Sequence, residues 1–500
     1  MKTVAIIGAG YAGLATARIF KQYGFEATIF EKDEEVGGVW TSSRRYPGLT
    51  TQNPKDTYYL SDLKMPKDYP EWPVGKQVQE YIEMYVDHCN LRKDLHLNKE
   101  VTATSQNTDG TWSLSTKDVK TGGKTTANFD YLIVCNGIFS EPFIPPYIGT
   151  DKFVANGGKV LHTSQFNTKN EAKDKKILIV GYGKSSCDVA ASVCDIAQST
   201  HVIARSIIWK VPKRFYGILN MKYILLTRLG ENLFPYIKRS GMAQFLHSMV
   251  GKPFRNGLLG LVQAVASKQL KLKEVGLHPG NSLETIARAN VSLASNNFFK
   301  NVQAKKIIVH RAASIRSLEP GKATLDNGEV IDADIIVCGT GWKQQVPFME
   351  ESVMKNIFDE NDDFLLYKNQ MPIGVANLAF NGYNSSFYSQ LNSEIGALWL
   401  AEAFTNGFKL ASDPEKITKT KRQLAWSKER TKGKNSRGTN IIPFSLNHID
   451  ELLGDVGIDV SDFKKFMQWN VPAEPADYNK VIKKAIKRFE KNRKANFHNN

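Results

Sequence analysis

The amino-acid sequence predicts an α/β protein built from two similar strand, glycine loop and helix units, the second inserted into the first. Three observations lead to this prediction. An apolar run followed by spaced glycines and an alanine-rich helical segment begins at Thr3. A segment with the same order begins at Lys176. Two further segments, 130–137 and 334–341, share the order acid, apolar strand, Cys and Gly, which indicates crossings between the units.

The length of the chain bounds the number of domains. With 500 residues and 42% hydrophobic content, the chain predicts two or three packed units. We predict the first part of an outer domain over 1–168, an inserted domain over 169–330, and the second part of the outer domain with C-terminal helices over 331–500. Within the inserted domain, about 216–272 is rich in Leu, Phe, Tyr, Lys and Arg, which predicts two or three amphipathic helices with basic faces.

Composition excludes several classes of protein. The five cysteines include no C-x-x-C pair, so we expect no disulfide framework and no metal site, and a reducing, cytoplasmic location fits best. We find no secretory signal and no apolar run long enough to span a membrane. The formal net charge of +16 is spread along the chain and densest over 480–494, typical of a solvated helix. Nucleic acid is not an expected partner, because no nucleic-acid-binding module is recognised.

The first glycine loop has the spacing Gly8-x-Gly10-x-x-Gly13. Gly8 permits a tight turn, Gly10 lets a pyrophosphate approach the backbone, and Gly13 lets the helix pack closely on the strand. The next strand ends in Glu31, whose carboxylate would accept hydrogen bonds from ribose hydroxyls and disfavour a 2′-phosphate. FAD or NAD is therefore expected at this loop. Further predicted contacts are Lys32, Gly38 and Trp40.

The second loop contains Gly181-x-Gly183, with Ser186 at the position of the third glycine. A serine is small enough for close packing, and the hydroxyl of Ser185 or Ser186 could add a phosphate contact. The strand that follows ends in Arg205, whose guanidinium would accommodate a 2′-phosphate through charge-assisted hydrogen bonds. This exchange favours NADPH over NADH. The alternative interpretation of Arg205 is a surface arginine at a strand end.

Other residues are predicted near the two loops. Thr340 and Gly341, at the end of the second crossing segment, are predicted cofactor contacts. Lys210, Lys213 and Arg214 either supplement the positive charge at the second loop or belong to a solvated basic loop. The chain shows no nucleophile, base and acid constellation of the hydrolase kind and no metal-ligand pattern.

The segment between the two units, with Gly158, His162 and Phe166 at regular spacing, resembles a segment of the flavin-containing monooxygenase family. Gly158, His162 and Phe166 match the family fingerprint F-x-G-x-x-x-H-x-x-x-(F/Y), with Asn156 in place of the leading aromatic residue. Related Baeyer–Villiger monooxygenases end the fingerprint in Trp followed by Pro or Asp, whereas here Phe is followed by Asn, which favours the heteroatom-oxidising branch. The segment 45–48, Arg-Tyr-Pro-Gly, looks like a Baeyer–Villiger feature, so oxidation of ketones stays open.

Two more segments carry the resemblance. Residues 51–56, Thr-Gln-Asn-Pro-Lys-Asp, are similar to the family's T-N-x-x-K-E segment, whose asparagine lies beside the flavin ring. By this resemblance Asn53 is the candidate catalytic residue, since an uncharged amide both donates and accepts hydrogen bonds. A simple Asn-Pro turn is the alternative. The segment 377–384 resembles one that closes the FAD site, which extends the similarity to about residue 410.

The resemblance implies FAD and NADPH as cofactors, with O₂ and a small molecule as substrates. In that family NADPH reduces FAD, O₂ adds to form the C4a-hydroperoxide, and a soft nitrogen or sulfur nucleophile takes one oxygen atom. The alternatives are Baeyer–Villiger oxidation, an NADPH oxidase or reductase without oxygen insertion, and a flavin-binding module without turnover. We interpret 216–272 as a lid or a homodimer contact in preference to a membrane-surface element.

Overall fold

Two parallel five-stranded sheets form the centre of the computed structural model, which describes residues 1–288, 292–433 and 436–498. The strands of the first sheet lie in the order Leu378–Phe380, Tyr131–Val134, Thr3–Ile7, Glu26–Phe30 and Leu95–His96. The strands of the second lie in the order Ile308–Arg311, Ser199–Ala204, Lys176–Val180, Ile335–Cys338 and Lys159–His162. Helices cover both sheets, which explains why the central strands are continuous apolar runs instead of alternating ones. The predicted α/β class with two Rossmann-like units is confirmed.

The second sheet extends beyond the inserted segment predicted over 169–330. Its edge strand Lys159–His162 comes from before that segment, and its strand Ile335–Cys338 comes from after it. The predicted boundaries at 168/169 and 330/331 therefore cut across this sheet. Hydrogen-bonded pairing, which the sequence does not display, decides to which sheet a strand belongs.

The two crossing segments occupy equivalent places in the two sheets. Asp130 accepts a hydrogen bond from the backbone N–H of Thr3 at 2.7 Å, and Asp334 accepts one from the backbone N–H of Lys176 at 2.8 Å. Each strand that follows the acid pairs in parallel with the first strand of its unit. The internal similarity of 130–137 and 334–341 therefore reflects a repeated strand position.

Smaller sheets surround the two centres. One three-stranded antiparallel sheet contains Lys99–Gln106, Trp112–Asp118 and Lys124–Phe129, and another contains Ile315–Glu319, Lys322–Leu325 and Val330–Asp332. Short paired strands are Lys210–Val211 with Ser292–Leu293, Arg214–Phe215 with Leu219–Asn220, Glu141–Pro142 with Trp342–Lys343, and Leu366–Tyr367 with Met371–Pro372.

The α-helices are Tyr11–Gln22, Gly75–His88, Thr150–Ala155, Lys184–Val193, Lys222–Leu225, Arg228–Asn232, Gly241–Leu246, Gly251–Gln269, Phe298–Gln303, Glu351–Ile357, Ser389–Phe404, Asp413–Thr431, Ser445–Val456, Asp462–Met467 and Pro475–His498. Among them, Ser389–Phe404 is almost wholly buried, and its Glu394 forms an ion pair with Arg18 at 2.7 Å. No helix in the described part of the chain combines the length and apolarity needed to cross a membrane.

The insertion at about 216–272 contains four helices, more than the two or three expected, and packs on the C-terminal part of the chain. Glu231 accepts hydrogen bonds from the backbone N–H groups of Leu446 and Asn447 at 2.7 and 3.2 Å, at the start of the helix Ser445–Val456. Arg228 forms an ion pair with Asp450 on the same helix. These contacts hold the insertion against the helix Ser445–Val456.

Candidate functional site

The first glycine loop has the geometry that its spacing predicts. Gly8 has a φ of +108°, and a Cβ there would lie 2.5 Å from the carbonyl oxygen of Cys135. A Cβ at Gly13 would lie 1.9 Å from the carbonyl oxygen of Gly8. Side chains are excluded at both positions, because real Cβ atoms do not approach backbone oxygens so closely. Helix Tyr11–Gln22 therefore begins directly against the end of the first strand, with its N–H groups free for an anion.

Glu31 is fixed beside this loop. Its carboxylate accepts hydrogen bonds from the backbone N–H of Ala9 at 2.8 Å and of Asp33 at 3.0 Å. Burial raises the pKa of the Glu31 carboxyl, and these two N–H groups oppose that shift. The side chain therefore stands at the end of the second strand, where the ribose of a dinucleotide would lie.

A cavity opens in front of the loop and has walls from segments far apart in the chain. Of the predicted residues, it is lined by Gly8, Gly10, Glu31, Lys32, Gly38 and Trp40. Residues that the sequence reasoning missed also line it, among them Tyr11, Arg44, Asn136, Ser385, Ser389 and Gln390. The hydroxyl of Tyr11 and the side-chain oxygen of Gln390 are buried without a hydrogen-bond partner in the described part of the protein. A buried polar atom without a partner is costly, so these two atoms fit a polar ligand in the cavity.

Asn53 is buried, with 2% of its surface exposed. Its side-chain nitrogen donates a hydrogen bond to the carbonyl oxygen of Phe387, which lies between the lining residues Ser385 and Ser389. Asn53 is not itself among the described residues that line the cavity. The structure therefore connects this asparagine to the segment that forms the wall.

The second loop repeats the first with one exchange of residues. Gly181 has a φ of +110°, and a Cβ there would lie 2.6 Å from the carbonyl oxygen of Gly339. Gly183 has open space around it. Ser186 is buried and donates a hydrogen bond to the carbonyl oxygen of Val180 at 3.4 Å, which accounts for its hydroxyl. Of the two serines, Ser185 is therefore the better candidate for a phosphate contact.

Ser186 fits because Gly339 lacks a side chain. A Cβ at Gly339 would lie 1.9 Å from Oγ of Ser186, whereas the equivalent position in the first unit is Cys135, which faces Gly13. The two units thus place the small residue on opposite sides of the same contact. In the first unit it is on the helix, and in the second it is on the neighbouring strand.

We expect Gly339→Ala to weaken NADPH binding and lower the stability of the protein by about 1–3 kcal/mol, because the new methyl group overpacks this contact. Adding Ser186→Gly should restore much of both losses, since it removes the atom that the methyl group meets. The measurements are thermal unfolding and NADPH titration of the two single variants and the double variant. Additive effects of the two substitutions would contradict this account of the contact.

Arg205 follows the strand Ser199–Ala204, whose Ile203 carbonyl accepts the N–H of Gly181 at 2.8 Å. Its side chain is exposed and forms no hydrogen bond or ion pair within 1–288, 292–433 and 436–498. Arg205 therefore lies just beyond the strand that pairs with Lys176–Val180, and its guanidinium has no partner among the described residues and is free to bind a ligand.

The basic residues downstream do not form the solvated loop that was one of the two alternatives. Lys210 is 1% exposed, and its ammonium donates to the carbonyl oxygen of Tyr182 at 2.8 Å. Burial lowers the pKa of Lys213 to about 8. Arg214 forms hydrogen bonds with Glu71 at 2.8–3.0 Å. Lys210 thus binds the backbone of the second glycine loop at the residue between Gly181 and Gly183. The sequence alone did not reveal this contact.

The fingerprint residue His162 contacts the second crossing segment. Its Nε2 donates to the carbonyl oxygen of Gly341 at 3.0 Å, and its Nδ1 accepts from the backbone N–H of Ser164 at 3.2 Å. Burial lowers the pKa of His162 to about 4, so the ring is neutral at pH 7. The hydroxyl of Thr340 donates to the carbonyl oxygen of Phe143. The structure therefore places His162, Thr340 and Gly341 at the connection between the units.

Comparison with known proteins agrees with this architecture. A family model described as FMO-like, flavin-binding monooxygenase-like, matches residues 1–467. Flavin-containing monooxygenase 3 of Homo sapiens is 26% identical over 439 residues, which cover 82% of this chain and 75% of that protein. The probable flavin-containing monooxygenase 1 of Arabidopsis thaliana is 24% identical over 508 residues, with 91% and 92% coverage.

Solved structures show the same fold. S-allyl-L-cysteine S-oxygenase from Allium sativum superposes with a TM-score of 0.63 at 20% identity, covering 98% of this chain and 99% of that one. An oxidized steroid monooxygenase bound to NADP gives 0.67 at 18% identity, covering 91% and 98%. The match to the family model covers most of the chain and both glycine loops. The chain therefore belongs to the flavin-binding monooxygenase-like family and is a monooxygenase that uses FAD and NADPH.

Proposed function

We propose that this monooxygenase transfers one oxygen atom from O₂ to a nitrogen or sulfur atom of a small molecule. The observation that carries the proposal is the end of the fingerprint, where Asn167 follows Phe166. The side-chain nitrogen of Asn167 donates to the carbonyl oxygens of Ser43, Arg45 and Ser164 at 3.0–3.1 Å. Neither Pro nor Asp, which related Baeyer–Villiger enzymes have at this position, can donate these bonds.

The roles of the site residues belong to this proposal. FAD would be held by the first loop and its surroundings, namely Gly8, Gly10, Gly13, Glu31, Lys32, Gly38 and Trp40. Thr340 and Gly341 would be further cofactor contacts. NADPH would be held by Gly181, Gly183, Ser185 and Arg205, with Ser186 packing the helix. When bound, the flavin would supply the redox chemistry, because it is the group that NADPH reduces and that passes oxygen to the substrate. The chain binds and orients both cofactors and keeps water from the reacting atoms.

Asn53 would act at the flavin through its amide. Because its nitrogen is used by the carbonyl of Phe387, its side-chain oxygen is the atom left to accept a hydrogen bond. An acceptor without a titratable proton holds a neighbouring group without protonating it. The same contact with Phe387 positions the wall of the cavity.

We expect Asn53→Ala to retain FAD and NADPH oxidation but to lose about 10- to 100-fold in oxygenated product per NADPH, because one oriented hydrogen bond is removed. The measurement is product yield against NADPH consumed, with hydrogen peroxide as the competing product. Asn327→Ala, in an exposed turn, serves as the control. Unchanged coupling in Asn53→Ala would make Asn53 a turn residue only.

The direct test of the proposed function is rapid mixing of the NADPH-reduced protein with oxygenated buffer. A transient oxygenated-flavin spectrum that persists while NADP⁺ is bound is the expected result. Amines, sulfides and ketones would then be compared for the rate at which they discharge it. Immediate return to oxidised flavin would identify an oxidase or reductase, and discharge by ketones alone would identify Baeyer–Villiger oxidation.

We also propose a cytoplasmic location. All five cysteines are free thiols, and four of them are buried. Thiols that are never paired suit a reducing compartment.

A further inference from the structure

The side chains of Asp62, His88 and Cys89 form a group of candidate metal ligands away from the FAD cavity. One ligand atom of each lies within 4.8 Å of the other two, and Nε2 of His88 is 3.5 Å from Oδ2 of Asp62. Two ligands of a tetrahedral zinc ion lie about 3.3–3.8 Å apart, because their bonds to the ion are about 2.0–2.3 Å long. No second group of this kind occurs within 1–288, 292–433 and 436–498.

The fold brings these ligands together from separate segments. The hydroxyl of Tyr81, on helix Gly75–His88, hydrogen-bonds to the backbone on both sides of Asp62, at 2.8 and 2.7 Å. His88 is the last residue of this helix, and Cys89 follows it directly. The carbonyl groups at the C-terminus of a helix favour a cation nearby. The sequence indicated no metal site, because Asp62 stands 26 positions before His88 and no short spacing pattern joins them.

The charges around Asp62 leave a negative charge in excess. Arg18 is buried and forms ion pairs with Oδ1 of Asp62 at 2.9 Å and with the fully buried Glu394 at 2.7 Å. One guanidinium thus faces two carboxylates, and the neighbouring Lys21 is paired with Asp94. A buried charge needs a counter-charge, and Oδ2 of Asp62 is the carboxylate oxygen that Arg18 leaves for one.

We propose that Asp62, His88 and Cys89 bind a zinc ion, with water as the fourth ligand. Thiolate, imidazole and carboxylate are the ligands of zinc sites, whereas Mg²⁺ and Ca²⁺ bind oxygen atoms. On binding, the thiol of Cys89 releases its proton to the solvent, and Zn²⁺ bonds to its sulfur, to Nε2 of His88 and to Oδ2 of Asp62. The ion and the thiolate, together with Arg18, Asp62 and Glu394, then carry no net charge.

This zinc site is structural and separate from the oxygenation. None of its three ligands lines the FAD cavity. Arg18 connects the site to helix Tyr11–Gln22, which begins at the first glycine loop. Glu394 connects it to helix Ser389–Phe404, whose first residues line the cavity. A second, solvent-accessible cavity is lined by all three ligands, so the ion can enter the folded protein.

The test is zinc binding by the FAD-loaded protein, first treated with a chelator and then dialysed against Zn²⁺. We expect one zinc ion per chain. X-ray absorption should show one sulfur ligand at about 2.3 Å and nitrogen or oxygen ligands at about 2.0–2.1 Å. Excess Mg²⁺ should not displace the zinc, because it does not favour thiolate. Zinc should also raise the unfolding temperature, since an ion that binds only the folded state stabilises it.

Two pairs of variants assign the ligands. His88→Ala and Cys89→Ser should each weaken zinc binding by more than about tenfold and reduce the shift in unfolding temperature. The side chain of His88 is 42% exposed, so its removal leaves the fold intact. Cys194→Ser is the matched control for Cys89→Ser, because Cys194 also directly follows a helix. His278→Ala is the control for His88→Ala, and both controls should bind zinc like the wild-type protein.

The proposal is overturned if the wild-type protein does not retain one zinc ion per chain, in which case a protonated His88 is the counter-charge of Asp62. It is also overturned if His88→Ala and Cys89→Ser bind zinc as tightly as the two control variants, or if the X-ray absorption shows no sulfur ligand. Flavin absorbance reports that each variant is folded.

Discussion

Purified Gly13→Ala protein will be nearly free of FAD. The added Cβ would lie 1.9 Å from the carbonyl oxygen of Gly8, a backbone atom that cannot move without displacing the first strand. Helix Tyr11–Gln22 must then shift outward, which removes its N–H groups from the position of the pyrophosphate. Flavin content per protein should fall by more than about tenfold, and the stability should fall by about 1–3 kcal/mol. The ratio of flavin to protein absorbance and thermal unfolding measure the two effects.

Gly257→Ala is the control for this prediction. Gly257 also lies within an α-helix, but a Cβ there meets no atom within 4 Å. It should keep its flavin and its unfolding temperature. A Gly13→Ala protein with full flavin content would show that close packing of helix and strand is not required for the site.

Arg205→Ala will raise the KM for NADPH by about 10- to 100-fold and leave the KM for NADH almost unchanged. A charge-assisted contact between a guanidinium and a phosphate is worth about 1.5–3 kcal/mol, and only NADPH carries the 2′-phosphate. The free, exposed side chain means that its removal breaks no internal contact of the described protein. Steady-state oxidation of the two cofactors is the measurement.

Two variants sharpen the result for Arg205. Arg205→Lys keeps the charge but loses the bidentate geometry, so we expect an intermediate KM for NADPH. Arg316→Ala, at an exposed position on Ile315–Glu319, should change neither KM. Equal losses on NADPH and NADH in Arg205→Ala would assign this residue to the general stability of the domain.

Several features were predictable because they lie within a few consecutive residues. The spacing Gly8-x-Gly10-x-x-Gly13 and the end of the next strand in Glu31 define a dinucleotide site through backbone geometry alone. The residue at the end of the second strand of each unit is also a local feature. Glu31 predicts a ribose without a 2′-phosphate, and Arg205 predicts the 2′-phosphate of NADPH. The strands around both loops fall where the apolar runs predict them.

Other features depend on pairing between distant segments. Tyr11 and Gln390 meet in one cavity although 379 positions separate them. Gly339 makes room for Ser186 across the contact of a helix with a neighbouring strand. The sequence left open whether Lys210 adds charge at the second loop or belongs to a solvated loop, and the structure buries its ammonium against the carbonyl of Tyr182 in that loop. No local pattern reports such contacts, since each needs the position of a second element.

The insertion 216–272 shows most clearly which features are local in the sequence and which depend on distant segments. By itself the sequence determined that 216–272 is helical, apolar and basic, because periodicity and composition are local properties. Only the tertiary structure decided which apolar side the protein covers and which it leaves exposed, as at Phe254 and Leu261. The physical reason is that burial is a property of the neighbours around a side chain, and these neighbours come from elsewhere in the chain.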